Sequence, residues 1–152
     1  MKYLFAAFVA IVGLVASVQG TVDAGITTRS VEATGKLRCG LQPARQVIVT
    51  LKRENDDDLD NVIGKTVTDE EGRFTIKGDT ERFGGAKSTI DPTLSFYHKC
   101  DTEEAKPFNT FFLRFPRTYT TIGRVPRRQY DIGTLNLQFK YPKQTTEKNP
   151  PK

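Results

Sequence analysis

The 152-residue chain carries 23 Lys and Arg against 18 Asp and Glu, a formal net charge of +5, with two cysteines and a single histidine. That length makes one domain, large enough to bury a core without metal ions or many disulfides. Beyond residue 20 no segment is long and apolar enough to cross a bilayer.

Met1 and Lys2 precede an apolar run over 3–18, interrupted weakly by Gly13 and Ser17, and small or compact residues stand at Val18 and Gly20. This is the pattern of a secretory signal peptide, 1–20, cleaved after Gly20. An uncleaved membrane anchor is the alternative, because the apolar stretch with its flanks nears the length of a short span. Loss of Lys2 takes the mature net charge to 5 − 1 = +4. Residues 21–105 hold 12 basic and 16 acidic side chains, and residues 106–152 hold 10 and 2. The mature chain is therefore acidic first and basic last, an asymmetry that points to a charged partner. No Asn-x-Ser/Thr acceptor for N-glycosylation occurs.

Residues 21–30 are small, polar and aperiodic, a flexible arm. From Val31 the pattern alternates: Val31, Ala33, Gly35, Leu37 and Cys39 share one face, a strand ending in an inward cysteine. After a turn at 40–43, Val47, Val49 and Leu51 alternate in a second strand. Five carboxylates follow in the seven residues 54–60. Their density invites calcium, but the spacing is not that of an EF-hand and no glycine inside the run lets the backbone wrap an ion. The run reads as a solvated loop, with calcium the alternative.

The stretch 65–78 reads as a β-hairpin. Two short runs flank an Asp-Glu-Glu-Gly turn, and the second places Phe74 and Ile76 opposite Arg73, Thr75 and Lys77. Gly72 supplies the positive φ that ends such a turn. A strand over 93–100 then puts Leu94, Phe96, His98 and Cys100 on one face. His98, the only histidine, reads as a hydrogen-bonded core residue rather than a catalytic or metal-bound one. Phe111, Leu113 and Phe115 alternate in the next strand, with Phe112 outward. A loop rich in Arg and Thr spans 117–128, and a last strand or strand pair spans 129–141, broken near Gly133. Residues 142–152 carry Pro and Lys and read as a disordered tail.

Cys39 and Cys100 are the full cysteine complement. In a secreted chain an isolated pair is most simply a disulfide, here closing a loop of about 60 residues worth roughly 4 kcal/mol of chain entropy. Free or metal-bound thiols are the alternative. With no sustained helical periodicity, the expected fold is all-β, a Greek-key β-sandwich of about seven or eight strands over 31–141.

Several segments carry a resemblance. Gly35-Lys36-Leu37-Arg38-Cys39, the acidic Asp56-Asp57-Asp58, Thr68-Asp69-Glu70-Glu71-Gly72-Arg73-Phe74 and Ile90-Asp91-Pro92 are among them. Tyr97-His98-Lys99-Cys100, Pro116-Arg117-Thr118-Tyr119 and Asp131-Ile132-Gly133-Thr134-Leu135-Asn136-Leu137 complete the set. In this order and spacing the chain resembles the nematode transthyretin-like proteins over about residues 31–140. The resemblance implies a secreted, transthyretin-like (prealbumin-like) sandwich in an extracellular family without one shared ligand or reaction. Some relatives are linked to cell-surface recognition, including bridging of exposed phospholipid on dying cells.

The enzymatic cousins of transthyretin, the 5-hydroxyisourate hydrolases, use several histidines, an arginine and a Tyr-Arg-Gly-Ser terminus. Here Tyr141 is followed by Pro142-Lys143-Gln144 and His98 stands alone, so the acid–base pair cannot be assembled. The expectation is a non-enzymatic, cofactor-free, extracellular binding protein. Its candidate patch is Arg114, Arg117, Arg124, Arg127, Arg128, Lys140 and Lys143, with Phe112 or Tyr119 inserting beside it, and its expected partner is anionic lipid or a cell-surface protein. A carrier of a small hydrophobic ligand, with Asn136, Gln138 and Lys140 lining a sheet, is the alternative. A solvated face that only keeps the protein soluble is the plain reading of the same charges. Nucleic acid is not expected as a partner, since no binding motif accompanies the charge.

Overall fold

The computed structural model describes residues 27–55, 58–84 and 89–151. The expected signal peptide, residues 21–26 of the expected arm, and Asp56 and Asp57 of the acidic run lie outside the described residues. In chain order the strands are β1 (Arg29–Cys39), β2 (Gln42–Pro43), β3 (Ile48–Lys52), β4 (Val62–Val67) and β5 (Arg73–Asp79). They continue with β6 (Thr93–His98), β7 (Phe108–Arg114), β8 (Thr121–Ile122), β9 (Gln129–Asn136) and β10 (Thr145–Glu147). The strand count exceeds the expected one chiefly because β2 and β8 are two-residue pairings that no periodicity can signal.

Two sheets form the sandwich. In the first, β1 is the spine, with β5 antiparallel along one side and β9 parallel along the other; β8 and β2 extend the pairing at its two ends. In the second the order is β10-β7-β6-β3-β4, all antiparallel. The alternating residues meet between the sheets: Val31, Ala33 and Leu37 of β1 are buried against Val49, Leu51, Leu94 and Phe96. Rings cross the layer in series, Phe74 edge-on to Phe96, Phe96 stacked on Phe111, and Phe111 on Tyr141. Each fully buried side chain of this size contributes about 1.5–3 kcal/mol.

The expected hairpin over 65–78 is not one. β4 pairs with β3 in the second sheet and β5 with β1 in the first, so the 68–72 turn hands the chain from one sheet to the other. The strand, the turn and the alternation are as expected, with Phe74 and Ile76 buried. The partners were not legible because the same local pattern serves a hairpin and a crossing between sheets. Glycines set the crossing. A Cβ on Gly78 would lie 2.4 Å from the Ile63 carbonyl oxygen, and one on Gly64 2.6 Å from that of Lys77.

Three further boundaries moved. β1 begins at Arg29, inside the expected arm, with Thr28 and Ser30 buried because the strand pairs with β5 and β8 from its first residues. β9 stops at Asn136, where the Asn136 Oδ1 accepts the Gly40 and Gln138 N–H groups and turns the chain. The tail expected to be disordered instead folds back over 142–151. β10 pairs with the edge of β7, and Lys65 Nζ on β4 donates to the Pro151 carbonyl at 2.7 Å. The C-terminal segment thus crosses the outer face of the second sheet from edge to edge, and all six residues of β6 are buried, not just its inward half.

Candidate functional site

Strand direction sorts the candidate cations by end. β1 and β9 begin, and β7 finishes, at the end that carries Arg114, Arg117, Arg124, Arg127 and Arg128. The disulfide and Lys140 lie at the opposite end, about 25 Å along β9 at strand rise. Lys143 stands apart from both groups on the outer face, its Nζ 5.8 Å from the centroid of the Phe112 ring. The structure therefore brings five of the seven together and separates two.

Three of the five are tied to carboxylates. Arg114 and Arg117 share Asp91, the latter at 3.3 Å, and Arg124 meets Glu81 at 2.8 Å. Arg128 Nη1 donates to the Thr118 carbonyl, and among the described residues neither Arg127 nor Arg128 has a carboxylate partner.

The loop that bears them is held in shape. Pro116 starts a 3-10 turn over Arg117–Tyr119, and Tyr119 packs edge-on against Tyr130, itself stacked on Phe115. The Gly123 N–H bonds to the Thr28 carbonyl, and the Arg127 N–H to Thr121 Oγ1 at 3.0 Å. These contacts bury part of Tyr119, and Lys143 sits over Phe112, so neither expected ring is presented beside the arginines. Two aliphatic side chains are presented there instead: Ile122 is 64% exposed and Val125 75%. Both were present in the basic loop as apolar residues with no alternating partners, a signal overlooked beside the larger rings. Val125 and Pro126 also wall a cleft of about 510 Å³ against Val62, Ile63 and Arg82.

At the other end Cys39 and Cys100 are bonded, with Cα atoms 5.6 Å apart, and join the two sheets. His98 faces the core. Its Nδ1 accepts the Cys100 N–H at 3.3 Å, Nε2 is buried without a partner among the described residues, and burial lowers its pKa to about 4. The amides of Asn136, the last residue of β9, and of Gln138 are engaged in the turn and in a bond to Asp101. In the acidic run, Asp58 accepts the Asp60 N–H and Glu54 pairs with Arg53. Among the described residues the one cluster with ligand spacing is Cys39, Cys100 and Asp101, whose sulfurs are bonded to each other.

Two packed sheets with a parallel β1–β9 pair and one disulfide across one end define a β-sandwich of the prealbumin type. The chain belongs to the transthyretin-like family, whose family model (TTR-52) matches residues 34–116. It is 34% identical over 149 residues to transthyretin-like protein 46 of Caenorhabditis elegans, covering 97% of this chain and 76% of that protein. It is 30% identical over 117 residues to transthyretin-like protein 33 of the same nematode, covering 76% and 79%.

Proposed function

We propose that the protein is a secreted, non-enzymatic binding protein that engages anionic membrane surfaces through the loop 120–128. The observation that carries this is the pairing of exposed Ile122 and Val125 with Arg127 and Arg128, which have no carboxylate partner among the described residues, on a loop braced from behind. A peripheral membrane contact needs that combination, aliphatic chains to enter the headgroup layer and cations to meet its charge. Two cations near an anionic leaflet contribute about 1 kcal/mol each. Burying two aliphatic side chains adds about 1.5–3 kcal/mol each. These are gross gains, from which the loss of freedom on binding subtracts, so the contact is weak and reversible.

The test is co-sedimentation with neutral and with phosphatidylserine-containing vesicles at low and physiological salt. Binding is expected to need the anionic lipid and to survive physiological salt. It should fall more than tenfold in Arg127→Glu/Arg128→Glu, and also in Ile122→Asp/Val125→Asp. Equal binding to neutral vesicles, or binding abolished by salt screening alone, would overturn the reading.

A second reading, carriage of a small hydrophobic ligand, is favoured by a cavity of about 410 Å³ at the disulfide end, with Ala44, Val47, Phe108 and Leu137 in its wall. Native mass spectrometry of protein from its own secretions would reveal a retained ligand.

A further inference from the structure

The first sheet turns Val31, Ala33 and Leu37 of β1 and Phe74 and Ile76 of β5 to the core. Alternation therefore sends Lys36 and Arg38 of β1 and Arg73 of β5 to its outer face. The register fixes their neighbours. Lys36 stands directly opposite Arg73 on one side and opposite Thr134 of β9 on the other. Arg38, opposite Asn136, follows two residues along β1, about 7 Å away at strand rise. Three cations thus share the disulfide end of a three-stranded face, far from Arg127 and Arg128.

Like charges directly opposite each other destabilise a strand pair. Elsewhere on the same face the match is favourable, with Lys77 opposite Glu32. At Lys36 and Arg73 nothing relieves the repulsion. Among the described residues these two side chains have no partner, and Arg38 Nη2 donates only to the Leu41 carbonyl, at 3.2 Å. The acidic turn before β5 supplies no counter-ion: Asp69 accepts the Glu71 and Arg73 N–H groups, and Glu70 pairs with Arg45. The carboxylates further along the face are engaged too, Glu32 by Gln129 Nε2 and Asp131 by the Gly133 N–H. A cluster of this kind is completed by an anion from outside.

The surroundings narrow that anion's chemistry. Among the described residues, none of the large apolar side chains that are exposed lies on β1, β5 or β9, so this face has nothing to enter a membrane. None of its outward residues is aromatic, so it offers no platform on which bases stack. Two anion positions about 7 Å apart on an open face suit a chain with repeating charges, not one free ion. We propose that this end of the face binds a sulfated glycan chain lying along β1. One sulfate sits between Lys36 and Arg73, where attraction to both replaces their repulsion, and the next meets Arg38. Each guanidinium takes an oxyanion through parallel N–H···O bonds, and the lysine adds a point charge. The Thr134 hydroxyl, without a partner among the described residues, stands beside Lys36 to meet the sugar.

The test is calorimetric titration of the full chain, its disulfide intact, with a size-fractionated heparin fragment at physiological salt. The desulfated fragment and single-stranded DNA are the comparison probes. Saturable heparin binding is expected, at least tenfold tighter than that of either comparison. Lys36→Gln/Arg73→Gln should weaken it at least tenfold and, because it removes a repulsion, should melt no lower than the wild type. Arg127→Glu/Arg128→Glu should change heparin binding less than twofold. Vesicle binding in the same variants is expected to follow the loop and not the face, so the two readings succeed or fail separately. Loss of heparin binding in the loop variant with none in the face variant would place the chain on the basic loop and overturn the proposal. Absence of saturation, equal binding of the desulfated fragment, or matching affinity for the DNA would each overturn it as well. So would a lower melting temperature in the face variant, which would mean that the two cations already have partners within the fold.

Discussion

Single residues set the chemistry at both ends. His98 is buried among Phe111 and the disulfide strand, and its Nδ1 accepts a backbone N–H, so the neutral tautomer is built into the fold. Its folded pKa of about 4 lies below the ordinary value of 6.5, which means the unfolded chain binds the proton more tightly. The stability this neutral histidine contributes is full above pH 6.5 and is lost as pH falls from 6.5 through 4. In His98→Leu that contribution to the pH dependence disappears, and urea melts of both proteins at pH 7.5 and 5 measure the difference. A wild type that loses no more stability than the variant would show the ring to be solvated. At the basic end Arg53 is nearly fully buried. It donates twice to Asn61 Oδ1, and its carbonyl accepts the N–H of Asp91, the counter-ion of Arg114 and Arg117. Arg53→Lys keeps the charge but not the fork. It is expected to cost about 1.5–3 kcal/mol, the usual weight of a charged hydrogen bond, read by the same melts.

The elements show what the sequence made legible. Alternation located the inward faces of β1, β3, β5, β6 and β7, because a face turned to the core must be apolar and the period of a strand is two. It could not say which strands pair, and so 65–78 looked like a hairpin when its two strands belong to different sheets. Nor could it find β10. Three exposed residues with no apolar member pair through backbone groups alone, and their composition is that of a free tail. Of the seven basic residues read from the sequence, five lie together at one end and Lys140 and Lys143 do not. The counter-ions Asp91 and Glu81, distant in sequence, were not legible. The crossing itself makes a prediction. Gly78→Ala places a methyl against the Ile63 carbonyl, a backbone atom that cannot swing aside as a side chain would. The cost is expected at about 1–3 kcal/mol, typical of overpacking. Gly84→Ala, where the space is open but φ is +67°, should cost less. Equal losses at the two positions would mean that the sheets slide apart to admit the methyl.

Across the whole molecule, the disulfide and the basic loop occupy opposite ends of the sandwich, so the covalent brace lies apart from the proposed contact surface. Cys39 ends β1 in the first sheet and Cys100 follows β6 in the second, so the bond closes one mouth of the sandwich, where Asp101, Gln138 and Asn136 form a hydrogen-bonded cluster over it. The loop 120–128 is braced by Thr28, Thr121 and the Phe115–Tyr130–Tyr119 stack, none of which touches that mouth. With the cysteines 61 residues apart, the chain-entropy contribution of the bond is about 4 kcal/mol. Cys39→Ala/Cys100→Ala is therefore expected to lose stability of that order while folding to the same sandwich. In native-state hydrogen exchange its amides at Gly40 and Gln138 should lose protection first, and those at Gly123 and Arg127 should follow only with global unfolding. If the basic end loosens as early as the disulfide end, the two are one cooperative unit, and any loss of vesicle binding in the variant must be assigned to stability rather than to the loop.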